Sequence, residues 1–204
     1  MADGCLTLAK RTRKNGKIVF YKMVALSLSA KDKAHVKRFR EFLKSKHKIT
    51  VYTYNASFGR TTQARLAFIS SPIWDRLLVL GIKPRKTEGC SVDDSLAFDR
   101  DFWRGVIDGD GSVLLANSKQ SKRQPIVRLN GCLQLLNQFQ AYVATVTGNT
   151  YKISIHPTVK NFGELKLGSK PARRLISVLY TNASIALTRK LKKAQQIGKY
   201  YHEH

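Results

Sequence analysis

The chain repeats itself, and no other feature of its sequence restricts the fold as much. Val36, Phe39 and Leu43 have the spacing of an apolar helix face, and Leu136, Phe139 and Val143 reproduce it at an offset of 100. Leu66, Phe68, Pro72 and Leu77 recur as Leu165, Leu167, Pro171 and Ile176 at an offset of 99. Two independent blocks at nearly one offset identify a duplication. A third block, Ala2-Asp3-Gly4, matches Gly109-Asp110-Gly111 at an offset of 107. The difference of about seven residues calls for extra residues in the second copy between this motif and its helix, or an equivalent shift. The long basic turn from Asn117 to Gln124 is one place for them.

Each copy reads as the same string of elements. After the Asp-Gly comes a strand (Cys5 to Lys10; Ser112 to Ala116), a charged turn, and a second strand (Val19 to Ser29; Ile126 to Leu129). A helix follows (Lys31 to Lys46; Leu133 to Val146), then two further strands (Lys48 to Tyr54 and Gln63 to Ile69; Thr150 to His156 and Gly163 to Leu167). Asn15-Gly16 is a hairpin signal. Pro72 and Pro171 suit the first turn of a closing helix, and Gly81 stops the first of these. Charged and apolar residues alternate in Ala64 to Phe68 and in Glu164 to Leu167. Each sheet is therefore expected to be covered by helices on one face and to expose a basic surface on the other. The fold class is α+β.

Charge names the class of partner. The chain of 204 residues carries 37 Lys and Arg against 13 Asp and Glu, a formal charge of +24. So much uncompensated charge points to a polyanion, and a hydrophobic content of 43% supplies a core that a disordered basic tail lacks. Residues 10 to 48 hold 14 Lys and Arg, whereas seven of the 13 acids fall in residues 88 to 110. This acid-rich stretch separates two basic halves: residues 1–87 as the first repeat, 88–101 as a linker and 102–204 as the second repeat. No apolar run approaches the ~18 residues that span a bilayer, and the N-terminus lacks a signal peptide's apolar core. Neither the cysteines Cys5, Cys90 and Cys132 nor the five histidines have zinc-ligand spacing. An intracellular, reducing setting is expected, in a bacterial or phage cytoplasm or an organelle matrix.

The sharpest local signal is Phe102 to Val113, a helix that ends in Asp108-Gly109-Asp110-Gly111. Gly105 and Gly109 lie on one helical face, where small residues admit another helix at backbone distance. An acid at a helix C-terminus meets the negative end of the dipole, so Asp110 is poorly placed for stability unless a cation relieves it. A carboxylate beside terminal carbonyls offers hard oxygen ligands suited to Mg²⁺. A calcium loop counted from Asp108 needs a glutamate at its twelfth position, where Lys119 stands, so that reading fails. A plain Asp-Gly turn between helix and strand remains the competing reading. Its recurrence at Asp3 favours the metal.

These residues resemble those of the LAGLIDADG homing endonucleases of the two-repeat, single-chain kind. The nine-residue signature is Trp103 to Gly111, supported by Leu80-Gly81-Ile82-Lys83-Pro84-Arg85-Lys86-Thr87 and by Leu187-Thr188-Arg189-Lys190. The resemblance covers essentially the whole chain. It implies tandem pseudo-twofold αββαββα repeats, with signature helices packed at the centre and two antiparallel sheets forming a DNA-binding saddle. It also implies divalent-metal hydrolysis of both strands at a long specific site, with Mg²⁺ or Mn²⁺ active and Ca²⁺ a non-catalytic substitute. Asp3 and Asp110 would bind the metal, helped by the carbonyls of Ala2 and Gly109. Lys170, just before Pro171, fits the basic residue that family members often carry at the end of a repeat's fourth strand, where the first copy has Ser71. The first copy departs from the pattern, because Met1 stands where a whole signature helix should precede Ala2-Asp3-Gly4. Residues upstream of Met1, loss of cutting, or homodimerisation through the 102 to 110 helix would each account for this; a monomer is the favoured state.

Phosphate contacts are expected from Lys10, Arg11, Arg13, Lys14, Lys17 and Lys22 in the first copy and from Lys119, Lys122, Arg123 and Arg128 in the second. Gln63, Arg65, Gln124 and Arg128 are the expected readers of base edges. The sequence therefore points to a site-specific double-strand DNA endonuclease borne by an intron, an intein or a phage. The alternative is a non-cutting nucleic-acid-binding protein on the same scaffold, an intron RNA splicing helper or a DNA-binding regulator, which would make intron RNA a partner. Association with a membrane surface is not expected, since the apolar helix faces are committed to a core.

Overall fold

The alternating runs of the two copies form strands, and each copy builds one four-stranded antiparallel sheet. The structure is a computed structural model that describes residues 3–56, 59–84, 91–117 and 123–202. In the first unit β1 (Gly4–Thr12), β2 (Ile18–Ser29), β3 (Thr50–Ala56) and β4 (Gly59–Ile69) are ordered β1-β2-β4-β3. Helix α1 (Lys33–Phe42) follows β2, and α2 (Ser71–Val79) follows β4. In the second unit α3 (Asp94–Ala97) and α4 (Arg100–Gly109) precede β5 (Gly111–Ala116), β6 (Gln124–Cys132) and α5 (Leu133–Thr147). Then come β7 (Ile153–Ile155), β8 (Phe162–Gly168), α6 (Ser169–Tyr180) and α7 (Thr188–His202), with the sheet ordered β5-β6-β8-β7. The two sheets share one strand order, and the two-repeat α+β architecture follows.

The register shows where the copies differ in length. Leu26 pairs with both Gly4 and Leu66, and Leu129 pairs with both Gly111 and Leu165, so these are equivalent rungs. The offset thus falls along the chain, and the second copy is the shorter one. The extra residues expected in its hairpin are not there: 22 positions separate Gly4 from Leu26, but only 18 separate Gly111 from Leu129. The rest of the difference is a 3-10 turn, Ala30–Asp32, between β2 and α1, whereas β6 runs straight into α5. Other element boundaries move as well. Helix α1 stops at Phe42 rather than Lys46, β7 is reduced to three residues, and β6 extends at both ends. Helix α2 does end as expected, with Gly81 at φ 83°, its N–H on the Leu78 carbonyl and the Ile82 N–H on that of Leu77.

The chain divides between Arg85 and Lys86 into these two units. Where it is described, the acid-rich stretch assigned as a linker is folded within the second unit. Val92 exchanges two hydrogen bonds with the Gln138 amide, at 2.9 and 2.8 Å, and α3 leads into α4. The core of this unit gathers on Trp103, which is fully buried. Its indole N–H donates to the Ala97 carbonyl at 2.7 Å, and its ring meets Phe139 at 4.9 Å and Tyr142 at 6.0 Å. Trp103→Ala should therefore cost about 3–5 kcal/mol, read as a lower urea midpoint for the second unit.

Candidate metal centre and nucleic-acid interface

The end of α4 is held from inside the second unit. Asp99 caps its start by accepting the Phe102 N–H at 2.6 Å, and Trp103, Val106 and Ile107 turn to the core. Arg104 is buried on the same face and donates from Nε to the Ile185 carbonyl at 2.8 Å and from Nη1 to Asp101 at 2.7 Å and the Leu179 carbonyl at 3.2 Å. That hydrogen bond holds the Asp101 carboxyl below its ordinary range. Gly105 is on the exposed face, where an added Cβ would meet nothing within 4 Å.

The two acids of Asp108-Gly109-Asp110 have different surroundings. Asp108 is buried, and its carboxylate accepts the Tyr180 hydroxyl and the Leu187 N–H, each at 2.7 Å. Burial, and then the Asp108 charge, push the Tyr180 phenol far above its ordinary value. A phenol whose proton is held more tightly in the folded chain stabilises the fold fully below the unfolded value near 10, and that contribution is lost as pH rises beyond it. Stability should fall by up to about 1.4 kcal/mol per pH unit above pH ~10. Tyr180→Phe should remove this component from the alkaline limb of a denaturation series.

Asp110, by contrast, is exposed at the C-cap, with its N–H on the Val106 carbonyl at 2.9 Å. Its carboxylate makes no hydrogen bond to a described residue. Gly111 follows with no room for a side chain, because a Cβ would come within 2.7 to 2.9 Å of Ile107 side-chain and main-chain atoms. Gly111→Ala should cost about 1–3 kcal/mol and displace Asp110, measured as a lower melting temperature together with a shifted Asp110 amide resonance. Asp3 directly precedes β1, as Asp110 precedes β5, but Asp3 is half-buried, and its carbonyl accepts the Ser27 N–H at 3.1 Å. Ala2 lies outside the described residues.

A free carboxylate beside a helix-end carbonyl is a hard, incomplete oxygen donor set. Among the described residues no group of three or more His, Cys, Asp or Glu could hold a metal. The set fits Mg²⁺ or Ca²⁺ bound through one carboxylate, main-chain oxygen and water. Lys170 is not at a strand end. Strand β8 stops at Gly168, and Lys170 is exposed in the first turn of α6, as Ser71 is in α2. There, with Arg173 and Arg174, it edges a groove of about 810 Å³ between α6 and α7.

Strand parity sorts the expected DNA contacts. In the first sheet Gly4, Leu6, Val24, Leu28, Ala64, Leu66 and Phe68 are buried on the helix-covered face. Arg11, Gln63 and Arg65 have the opposite parity and share the open face with Tyr52 and Tyr54. Gln63 is held between the two tyrosines, accepting the Tyr52 hydroxyl at 3.0 Å and donating to that of Tyr54 at 3.1 Å. An amide so oriented keeps one N–H and one oxygen lone pair, the pair that matches an adenine edge. Arg13, Lys14 and Lys17 are exposed at the hairpin tip. Lys10 and Lys22 have the parity of the covered face, and Lys22 is paired with Asp75 of α2 at 2.6 Å.

In the second sheet Gln124 and Arg128 have open-face parity, with Leu114, Ile126 and Lys166. Arg128 faces Glu164 at 3.7 Å, too long for a hydrogen bond, and its buried Nε has no acceptor. Arg123 is exposed, with its N–H on the Tyr200 hydroxyl at 3.2 Å, while Lys119 and Lys122 lie outside the described residues. No described helix is long and apolar enough to cross a membrane.

Comparison with known proteins places this architecture. No protein-family model and no curated protein sequence matches the chain. Solved structures do match. Meganuclease I-SmaMI bound to uncleavable DNA superposes with a TM-score of 0.63 at 13% identity, covering 97% of this chain and 84% of that one. I-LtrWI bound to target DNA gives 0.64 at 11% identity, covering 98% and 86%, and I-GzeII in complex with its DNA target gives 0.64 at 10%, covering 100% and 89%. The fold is that of the LAGLIDADG homing endonucleases. I-SmaMI has also been determined on uncleaved DNA in the presence of calcium ions. On this LAGLIDADG fold the signature run Trp103 to Gly111 is α4 and its exit into β5. Sequence reasoning singled out Asp110 as a candidate and missed the buried residues that hold the helix: Arg104, Asp108, Tyr180 and Lys190.

Proposed function

We propose that the chain is a site-specific double-strand DNA endonuclease that works with a divalent metal. The observation that carries this is the contrast at the end of α4. The Asp108 carboxylate is held by internal hydrogen bonds, and that of Asp110, two residues on, is presented to solvent without a hydrogen bond to a described residue. Asp110 and the Gly109 carbonyl would hold a cation in the second unit, and Asp3 would serve at the matching position of the first. The bound metal would supply Lewis-acid polarisation of the phosphate and a nucleophilic water at neutral pH. The chain's own residues bind and place the duplex. Arg11, Arg13, Lys14, Lys17 and Arg65 neutralise phosphates in the first unit and Arg123 and Arg128 in the second. Gln63 and Gln124 face base edges. Lys170, two residues beyond the last strand, supplies positive charge on the α6 side.

A plasmid pool with a randomised insert, incubated with the protein and Mg²⁺, tests the reading. Linear plasmid carrying one family of related inserts is expected. Tight binding to one insert family with no linear product for any of them would contradict the enzyme, and preferential competition by intron RNA would favour the splicing-helper alternative.

A further inference from the structure

Lys190 belongs to a run of basic residues, Arg189, Lys190, Lys192 and Lys193, that by charge alone reads as a solvated helix face. The structure separates it from the others. Lys190 is 4% exposed, whereas Arg189 and Lys192 are open to solvent. Its ammonium donates to three main-chain carbonyls, Ile107 at 2.5 Å, Asp108 at 2.6 Å and Gly111 at 2.7 Å. These flank the C-terminus of α4, where helix carbonyls have no intrahelical donors and the dipole is negative. A buried cation needs compensation, because an unpaired charge is costly away from water. These bonds put the ammonium on the helix end, at carbonyls on either side of Gly109 and Asp110.

We propose that Lys190 is the positioning residue of the metal centre. By taking the carbonyls of Ile107, Asp108 and Gly111 it fixes the turn from α4 into β5, and with it the Gly109 carbonyl and the exposed Asp110 carboxylate. Asp108 reinforces the same turn, since its carboxylate holds Leu187, three residues before Lys190. The ammonium also neutralises the helix end beside Asp110, which lets an acid stand there before any cation binds. The inference rests on the assignment of Asp110 as a metal ligand, but its structural half can be measured without metal.

The test uses the full chain and the variants Lys190→Met, Lys190→Arg and Asp110→Asn. Three quantities are read: exchange of the Asp110 amide relative to amides of β5 and β6, the Mn²⁺ concentration that half-broadens the Gly109 and Asp110 resonances, and duplex binding in EDTA. Lys190→Met should speed Asp110 exchange by at least about tenfold and raise the Mn²⁺ midpoint by about 10- to 100-fold, with duplex binding within about twofold of wild type. Lys190→Arg keeps the charge, but a planar fork cannot converge on three carbonyls. It should recover melting temperature without recovering the Mn²⁺ midpoint. A folded Lys190→Met protein with wild-type Asp110 exchange and Mn²⁺ midpoint would overturn the proposal. If that variant does not fold, the wild-type chain decides: the ¹⁵N-labelled Lys190 ammonium should show slowly exchanging protons coupled to the three carbonyl carbons, and exchange as fast as that of Lys192 would overturn it. Mn²⁺ broadening that survives Asp110→Asn would instead contradict Asp110 as a ligand, and the metal-free exchange result would still decide the role of Lys190.

Discussion

Raising NaCl from about 50 to 200 mM should weaken binding of duplex DNA by about 10³- to 10⁵-fold. The argument is one of counterion release. Each phosphate neutralised by a lysine or arginine contributes a slope of about −0.9 in log K against log salt, and about six to ten contacts give the stated loss. Arg11, Arg13, Lys14, Lys17 and Arg65 in the first unit and Arg123, Arg128 and Lys166 in the second lie on open faces or hairpin ends and are numerous enough for such a slope. Lys22 should not contribute, because its ammonium is already paired with Asp75 on the covered side. Fluorescence anisotropy across a salt series measures the slope. Alanine at Arg11 or Lys14 should each reduce it by about one, whereas alanine at Lys22 should leave it unchanged.

Asp110→Asn should lower the cleavage rate of a cognate duplex on the order of 10³-fold or more and leave its binding in EDTA unaltered. The substitution keeps the shape of the side chain and removes the charge that a hard cation requires. Asp110 is exposed and its carboxylate makes no hydrogen bond to a described residue, so the fold loses nothing by the exchange and stability should be wild type. Asp108→Asn should behave in the opposite way. Its carboxylate accepts from Tyr180 and Leu187 inside the unit, and an amide presents an N–H₂ to one of two donors. The loss should be one of stability, about 1–3 kcal/mol, with cleavage per folded molecule largely retained. Single-turnover kinetics and denaturation on the two variants separate the two acids of one motif.

The repeat was legible because duplication preserves apolar spacing. Leu66 with Leu165 and Phe68 with Leu167 proved to be equivalent core rungs of two sheets with one strand order. The sign of the length difference was not read correctly, although the fall in offset from 107 to 100 already requires a shorter second copy. Register shows a shorter second hairpin and an added 3-10 turn in the first copy. The sharing of charge between faces was only partly read. Lys10 has the parity of Leu6, and Lys22 that of Val24 and Leu28, so strand alternation already placed both on the covered side, although counting basic residues hid it. The pairing of Lys22 with Asp75 needed the packing of α2 on β2, which no local pattern contains.

Lys190 carries the same lesson in a helix. Leu187, Lys190, Ala194 and Ile197 recur at the spacing of one buried face, so the lysine stood in an apolar stripe while its basic neighbours suggested solvent. What no spacing could supply was its set of partners, because three carbonyls more than 75 residues away are brought to it only by tertiary packing of α7 against the α4–β5 turn.

The proposed activity is metal-dependent cutting of both DNA strands, and one measurement addresses it most directly. A duplex selected for tight binding, with both strands end-labelled, is held with the protein in EDTA and then given Mg²⁺. The account predicts an intact complex in EDTA and hydrolysis of both strands at fixed positions once Mg²⁺ is present. The same duplex, bound as tightly and left uncut in Mg²⁺ and in Mn²⁺, would contradict it.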